Sequence, residues 1–266
     1  MKVSGIYIYP VKGCRGLSLS KAEAGKYGLL GDRNFLIVDA QGKFMTQRQV
    51  ARMALIETAL TSNTLSLFSN GYGSFDYPLN SAAFGTPRAV TIWKSECLAD
   101  DCGDNAAMWL SRFLGVECRL VRIGTSYIRP VKPEKAKPGD EVSFADGYPL
   151  LIVTEESLAD LNHRLDDAVP MNRFRPNIVV TGAGAYAEDS WSKVRIGQVI
   201  FRATGPCGRC IVTTTDQFTS ERGKEPLRTL AMYRKDERNE VNFGQNFVNE
   251  SKTGVVAIGD TVEITE

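Results

Sequence analysis

The feature that most constrains the fold is a succession of short β-prone segments, each ended within a few residues by a turn. Residues 3–9 alternate in polarity, and the apolar run 35–38 is followed by the turn sequence Asp39-Ala-Gln-Gly42. Similar segments cover 65–68, 89–93, 178–181, 199–201, 211–215, 255–258 and 262–264. Many short strands separated by turns are typical of barrels and sandwiches. We therefore expect a mostly β fold with a few helices, of the α+β class.

Two helices are indicated by apolar stripes with matching start and end signals. Asp104 begins the first, and Gly115 stands where glycine commonly follows a helix end. Thr154 is suited to cap the second, and Glu155 and Glu156 would lie in its first turn, where the helix dipole favours acidic side chains. The three tryptophans are expected in the core.

The charge balance argues against nucleic acid as the main partner, because 32 Lys and Arg stand against 31 Asp and Glu. No run of 18 apolar residues could span a membrane, and the start lacks the long apolar region of a secretory leader. The six cysteines are spread over a chain long enough to fold without disulfides. We expect a cytoplasmic protein with free thiols.

The strongest local motif is Gly205-Pro-Cys-Gly-Arg-Cys210, which permits four interpretations. A thioredoxin-like redox pair is disfavoured because the β-branched run 211–215 predicts a strand rather than a helix. Structural zinc requires four ligands, and no second close cysteine pair is present. Two buried thiols, or a single thiolate that binds a soft metal, remain possible. Arg209 beside Cys210 would favour the anionic form of a metal-binding sulfur.

Cationic residues recur in the predicted loops of this nearly neutral chain: Lys12, Arg15, Arg33 and Arg175. Arginine and backbone N–H groups in glycine-containing turns are suited to phosphate and to polar heterocycles. Asp146 precedes Gly147 and forms a turn, and it could also handle protons if it faces a pocket.

Several motifs along the chain together resemble the MOSC family, in the branch with an N-terminal MOSC-type β-barrel domain. They are Tyr9-Pro-Val-Lys-Gly-Cys-Arg-Gly16, Gly31-Asp-Arg-Asn-Phe35, Asp101-Cys-Gly-Asp104, Phe144-Ala-Asp-Gly-Tyr-Pro149, Phe174-Arg-Pro-Asn177, Ala187-Glu-Asp-Ser-Trp191, Pro206-Cys-Gly-Arg-Cys210, Glu225-Pro-Leu227 and Phe243-Gly-Gln-Asn246. This branch includes the mitochondrial amidoxime-reducing components and their bacterial relatives. The resemblance implies an N-terminal MOSC β-barrel domain at 1–95 and a C-terminal MOSC β-barrel domain at 96–266.

The resemblance also implies a molybdenum cofactor, a molybdopterin, and does not imply pyridoxal phosphate. Cys210 would be the metal ligand and a catalytic residue, together with Asp146. The implied cofactor-binding residues are Lys12, Gly13, Arg33, Gly147, Tyr148, Arg175, Asn177, Gly208 and Arg209. Relatives often carry serine in place of Gly13 and Gly208, so backbone N–H groups would have to replace two hydroxyl contacts. The mitochondrial branch has small hydroxyl residues in place of Gly147 and Tyr148.

The function implied by the resemblance is the reduction of small N-hydroxylated compounds: amidoximes, hydroxylamines and N-hydroxylated bases. Some bacterial relatives continue into a ferredoxin-like domain where this sequence ends. We expect a separate electron-transfer partner of the ferredoxin or flavin-reductase type, unless such a domain follows the given sequence. A bacterial cytoplasmic location is expected. The alternative is a molybdenum-cofactor or sulfur carrier without turnover of its own.

Overall fold

The computed structural model describes residues 1–80, 85–131 and 135–266. The strands in these ranges are β1 (Lys2–Ile8), β2 (Leu17–Leu19), β3 (Lys21–Gly25), β4 (Gly28–Leu29), β5 (Phe35–Val38), β6 (Glu57–Leu60), β7 (Thr64–Ser69), β8 (Gly73–Pro78), β9 (Pro87–Ile92), β10 (Ser95–Asp101), β11 (Arg119–Arg122), β12 (Leu150–Thr154), β13 (Ile178–Thr181), β14 (Lys193–Ile196), β15 (Val199–Arg209), β16 (Val241–Asn249), β17 (Val255–Ala257) and β18 (Val262–Ile264). The helices are α1 (Asp104–Leu114), α2 (Glu155–Asn162) and α3 (Leu227–Tyr233). Short 3₁₀ turns cover Ala51–Leu55, Met171–Arg173, Ala187–Ser190 and Ile211–Thr214.

The largest sheet joins the two ends of the chain. Its strand order is β18-β14-β15-β16-β12-β13-β1-β2, in which only the β12 and β13 neighbours run parallel. β1 pairs with β13, and in a separate three-stranded sheet β3 pairs with β17. Two further sheets have the orders β5-β11-β10-β9 and β6-β7-β8. The division at residues 95 and 96 stays a prediction.

Apolar side chains on the faces of these sheets form the core. One cluster, which includes Ile6, Ile178 and Phe247, packs beneath the largest sheet. Near the strands that lead to Cys210, the Phe174 and Phe243 rings stack with centroids 4.0 Å apart. Burial of such apolar surface holds the loops between the strands in fixed positions.

The expected mostly β fold and both predicted helices are confirmed. α1 begins at Asp104 and is followed by Gly115, whose φ of 72° is the left-handed conformation that glycine adopts at low cost. Thr154 caps α2, and its side chain accepts a hydrogen bond from the Ser157 N–H at 3.2 Å. The third helix, α3, was not predicted.

The strand predicted after Cys210 is wrong. β15 precedes this cysteine and ends at Arg209, opposite Val241 of β16, and a 3₁₀ turn follows. The hydroxyls of Thr213 and Thr214 donate to backbone carbonyls three residues earlier, at 2.9 and 2.8 Å. These local bonds offer the backbone an alternative to strand pairing and outweigh the β propensity of the segment.

A fully buried carboxyl group, that of Glu188, lies behind the N-terminus of α2. It accepts hydrogen bonds from the hydroxyls of Thr154 and Ser157, both at 2.9 Å, and from the backbone N–H of Thr154 at 3.3 Å. Burial penalises the charged form more than these donors stabilise it, and the pKa of Glu188 is therefore raised.

We expect Glu188→Gln to gain stability relative to the wild type as the pH rises. The unfolded chain releases the Glu188 proton near its ordinary pKa of 4.5, whereas the folded protein releases it only at higher pH. Ionisation therefore lowers the free energy of unfolding of the wild type above pH 4.5, until the raised pKa is passed. Urea unfolding at several pH values would measure the difference. The exposed Glu155→Gln is the matched control, and equal pH profiles for both variants would contradict the prediction.

Candidate functional site

A cleft of about 840 Å³ lies where the loops after β1 and β4 and the 3₁₀ turns Met171–Arg173 and Ile211–Thr214 meet the end of β15. It is lined by all of the site residues predicted from the sequence: Lys12, Gly13, Arg33, Asp146, Gly147, Tyr148, Arg175, Asn177, Gly208, Arg209 and Cys210. These residues are widely separated in the chain. Their placement in one cleft makes a shared ligand physically possible, and their individual roles stay predictions.

Cys210 stands at the junction between β15 and the 3₁₀ turn Ile211–Thr214, and its side chain is half-buried. The guanidinium beside its sulfur comes from Arg48, whose Nη2 is 3.3 Å from Sγ. Arg209, which the sequence suggested for this contact, donates instead to Cys207 Sγ at 2.9 Å and to the Phe174 carbonyl at 2.7 Å. A cation next to a sulfur stabilises negative charge on it.

Lys12 and Asp146 form an ion pair on the wall of the cleft, with Nζ and Oδ1 2.6 Å apart. Burial lowers the pKa of Lys12 to about 8, although the negative charge of Asp146 opposes the shift. The Asp146 side chain is 64% exposed, and the charge and hydrogen bond of Lys12, together with a hydrogen bond from Trp93, hold its pKa well below its usual range. Asp146 therefore stays a carboxylate at neutral pH, and Lys12 is the member of the pair that still carries a proton to donate.

Two arginines lie against the ring of Tyr9, with the Cζ atoms of Arg33 and Arg175 at 4.5 and 4.1 Å from its centroid. Both have left-handed backbones, with φ of 50° and 56°. Arg33 is paired with Asp32 at 2.5 Å, whereas Nη2 of Arg175 is buried without a hydrogen-bond partner. Burial also lowers the pKa of Arg175 to about 10. A buried, unpaired guanidinium donor beside a second cation favours an anionic ligand.

Asn177 supports this arrangement from inside the fold. Its Oδ1 accepts from Arg33 Nη1 at 3.1 Å and from the Leu151 N–H at 3.2 Å, and its Nδ2 donates to the Tyr7 carbonyl at 3.1 Å. Its side chain therefore ties β12, β13 and the end of β1 to Arg33. Asn177 is 1% exposed, which makes it mainly a support for the cation.

Two glycines of the cleft lining, Gly13 and Gly208, have close neighbours on the side where a Cβ would lie. Gly13 has a φ of +85°, and a Cβ built on it would lie 2.7 Å from Cε of Met53. A Cβ at Gly208 would lie 3.0 Å from a carboxylate oxygen of Glu240. A larger residue at either position would require its neighbour to move. Gly147 is buried in the lining, and Tyr148 packs against the small apolar cluster around Val142.

The donor set fits a molybdopterin cofactor. Three polar atoms of cleft residues are buried without a partner: Nη2 of Arg175, Nε of Arg209 and Oγ1 of Thr204. Such atoms are costly unless a ligand or water satisfies them. In the described part of the chain no three His, Cys, Asp or Glu residues are grouped to hold a metal by themselves. Cys210 offers one soft sulfur, and the cations around Tyr9 offer a phosphate site.

Sequence reasoning missed two residues at this site. Arg48 reaches Cys210 across 162 positions of the chain, and no local motif distinguished it from other cations in turns. Trp93 was expected in the core, but it is 48% exposed, and its Nε1 donates to Oδ1 of Asp146 at 2.9 Å. Its place in the turn between β9 and β10 was the available signal, since turns rarely bury a large ring.

We expect sulfate binding to the cofactor-free cleft to weaken as the pH rises above about 8, because Lys12 then loses its charge. The loss is limited to about tenfold per pH unit, since one proton is linked to binding. Calorimetric titration with sulfate from pH 7 to 9 would measure it. Lys12→Arg stays charged throughout and should bind with little pH dependence. The same decline in that variant would contradict the role of Lys12.

Comparison with known proteins identifies two family models along the chain. The MOSC N-terminal β-barrel domain matches residues 1–117, and the MOSC domain matches residues 139–263. Mitochondrial amidoxime-reducing component 1 of Mus musculus is 38% identical over 98% of this chain and 81% of its own length. The Homo sapiens protein of the same name is 36% identical over 98% and 82%. The YUAD protein of Bacillus subtilis aligns with a TM-score of only 0.41 at 12% identity, over 98% of this chain and 93% of that one.

The two relatives are named as mitochondrial proteins of vertebrates, so they lend no support to the expected bacterial cytoplasm, which stays a prediction. Among the residues that the structure describes, no helix has the length and apolar character needed to cross a bilayer.

Proposed function

This chain belongs to the MOSC family, and from that premise we propose that it is a molybdenum-cofactor-dependent reductase of N-hydroxylated compounds. The observation that carries the proposal is the cleft itself, in which Cys210 shares one cavity with the cations at Lys12, Arg33 and Arg175. A soft sulfur ligand and a cationic phosphate site are the two features that a metal-bearing pterin requires from its protein. The relatives' name, amidoxime-reducing component, supports the choice of substrate class.

The proposed reaction removes the oxygen of an N–OH group as water, with two electrons and two protons consumed for each amidoxime converted to an amidine. When bound, the cofactor supplies the two-electron redox chemistry. The electrons are proposed to come from a separate partner of the ferredoxin or flavin-reductase type.

Within the protein, Cys210 would hold the metal, and Arg33 and Arg175 would hold the anionic group of the cofactor. Arg209 and Gly208 would line its other side, with Gly13 and the Gly147-Tyr148 segment closing the cavity. Lys12 would carry a proton at the cleft wall, and the Asp146 carboxylate would keep Lys12 in position through their 2.6 Å contact. Because Asp146 stays ionised at neutral pH, we assign proton donation to Lys12 and orientation to Asp146.

The proposal is tested by expression in cells rich in molybdenum cofactor, followed by measurement of molybdenum and pterin per chain. Amidoxime turnover is then assayed with a chemically reduced artificial electron donor. Near-stoichiometric metal with many turnovers per chain is the expected result. Bound cofactor that passes to an acceptor enzyme, without amidoxime reduction, would instead identify a carrier. If the protein purified from such a host held zinc or no metal, the proposed role of Cys210 as the molybdenum ligand would be overturned.

A further inference from the structure

In the described ranges, Arg48 is the one residue whose side chain donates a hydrogen bond to the sulfur of Cys210. Its Nη2 is 3.3 Å from Sγ, and this is the only polar contact of its guanidinium there. No carboxylate within salt-bridge distance neutralises its charge among those same residues. The contact joins a turn near the start of the chain to the end of β15, so it depends on the folded protein as a whole.

The backbone around Arg48 is held by several hydrogen bonds. The Thr46 hydroxyl accepts from the Arg48 N–H at 3.1 Å. The guanidinium of Arg222 donates to the carbonyls of both Gln47 and Arg48. Gln47 in turn donates through Nε2 to the Gly13 carbonyl at 2.8 Å. The turn that carries Arg48 is therefore held in place by hydrogen bonds to Gly13 and to Arg222.

The guanidinium of Arg48 stacks on the indole ring of Trp93. The Cζ of Arg48 lies 4.5 Å from the Trp93 ring centroid, and Phe44 packs against the same ring with centroids 5.0 Å apart. A guanidinium over an indole face is attracted by the ring electrons. The indole N–H donates to Asp146, which prevents the ring from turning away.

The backbone of Trp93 is unusual for so large a residue. Its φ is +56°, a left-handed conformation that glycine or asparagine adopts more readily, and the side chain is half-exposed rather than used in the core. Residues held in such sparsely populated backbone conformations are common at functional sites. Here the conformation places the indole between Asp146 and Arg48.

We propose that Arg48, stacked on Trp93, is a positioning residue for Cys210: its N–H holds the Cys210 sulfur toward the cleft. The inference takes the reacting role of Cys210 from the proposed function. It adds that both halves of the sequence contribute to the site. Arg48 and Trp93 come from the first half, and Cys210 comes from the second. Asp146 then has a second task, because it holds Trp93 as well as Lys12.

The test uses the cofactor-free full chain and the rate of alkylation by iodoacetamide at one pH. Trypsin cleaves after Arg209, so Cys207 and Cys210 fall on different peptides, and mass spectrometry reports each rate separately. Cys207 is an internal reference because its sulfur contacts Arg209 rather than Arg48. We expect Arg48→Gln to lower the ratio of Cys210 to Cys207 labelling several-fold, because the Cys210 sulfur loses the donor that holds it toward the cleft and the reagent. Arg48→Lys should restore part of it.

Two further variants separate positioning from a general structural effect. Trp93→Phe keeps an aromatic ring but loses the bond to Asp146, and it should lower the same ratio less than Arg48→Gln does. Arg209→Gln is the matched control, which should slow labelling of Cys207 and raise the ratio; its peptide is quantified by fragment ions. A ratio that is unchanged or higher in Arg48→Gln would overturn the inference. Such a result would leave the proposed function intact, whereas absence of molybdenum from the wild type would overturn the function without changing the labelling result.

Discussion

Cys210→Ser is expected to lose more than about a hundredfold in amidoxime turnover, together with most of its molybdenum. Outer partners of metal ligands alone are commonly worth about 10- to 100-fold in affinity or activity, and the ligand itself should be worth more. Serine keeps the size of the side chain but replaces a soft, easily ionised sulfur with a hard, neutral hydroxyl. Metal analysis and steady-state kinetics with a reduced artificial donor would measure both losses.

Cys207→Ser is the control for this variant because the two cysteines share one short segment. Its sulfur contacts Arg209 and no part of the Lys12–Asp146 pair, so the variant should keep its molybdenum. Full turnover in a Cys210→Ser protein that carries one molybdenum per chain would refute the assignment of the ligand.

Asp32→Ala is expected to cost about 3–5 kcal/mol in the free energy of unfolding, as for the removal of one partner from a buried ion pair. Asp32 is fully buried; its Oδ1 accepts from the Tyr9 N–H at 2.8 Å, and its Oδ2 accepts from Arg33 at 2.5 Å. Without it, the Arg33 guanidinium, whose side chain is 14% exposed, loses its neutralising charge. The same change should release Arg33 from its place against the Tyr9 ring and so weaken cofactor binding.

Urea unfolding monitored by circular dichroism would measure the stability change. Asp104→Ala is a suitable control, because that aspartate also pairs with an arginine, Arg119, but is 94% exposed. Exposed ion pairs contribute little, and this variant should unfold close to the wild type. Equal midpoints for Asp32→Ala and the wild type would show that the buried pair does not anchor the loop.

Local signals in the sequence predicted the elements that local interactions determine. The cap at Thr154 and the left-handed glycine after α1 depend on a few adjacent residues, and both were found at the predicted positions. β15 shows the opposite case. Only residues 199–201 read as a strand, yet pairing with β16 extends it through a polar, glycine-containing stretch to Arg209. Partner strands distant in sequence determine such extensions, and propensity cannot detect them.

The residues of the site likewise fall into those that local motifs predicted and those that depend on contacts distant in sequence. Motifs flanked by glycine or proline indicated the cleft residues, because turns that hold ligands need special backbones. Arg48 and Trp93 have no such mark, and their importance arises only when folding brings them beside Cys210 and Asp146. Predicting them would have required knowledge of which loops face each other.

The pairing of β1 with β13 and of β3 with β17 has a consequence for biosynthesis. A nascent chain that has emerged only through residue 180 carries Lys12 and Arg33 but lacks the strands that bring Cys210 opposite them. After Cys210 has emerged, β3 still lacks its partner strand until residues 255–257 have been made. If the cleft takes the proposed cofactor, we expect loading only after residue 257 has emerged, and a variant that lacks residues 255–266 should take up less pterin.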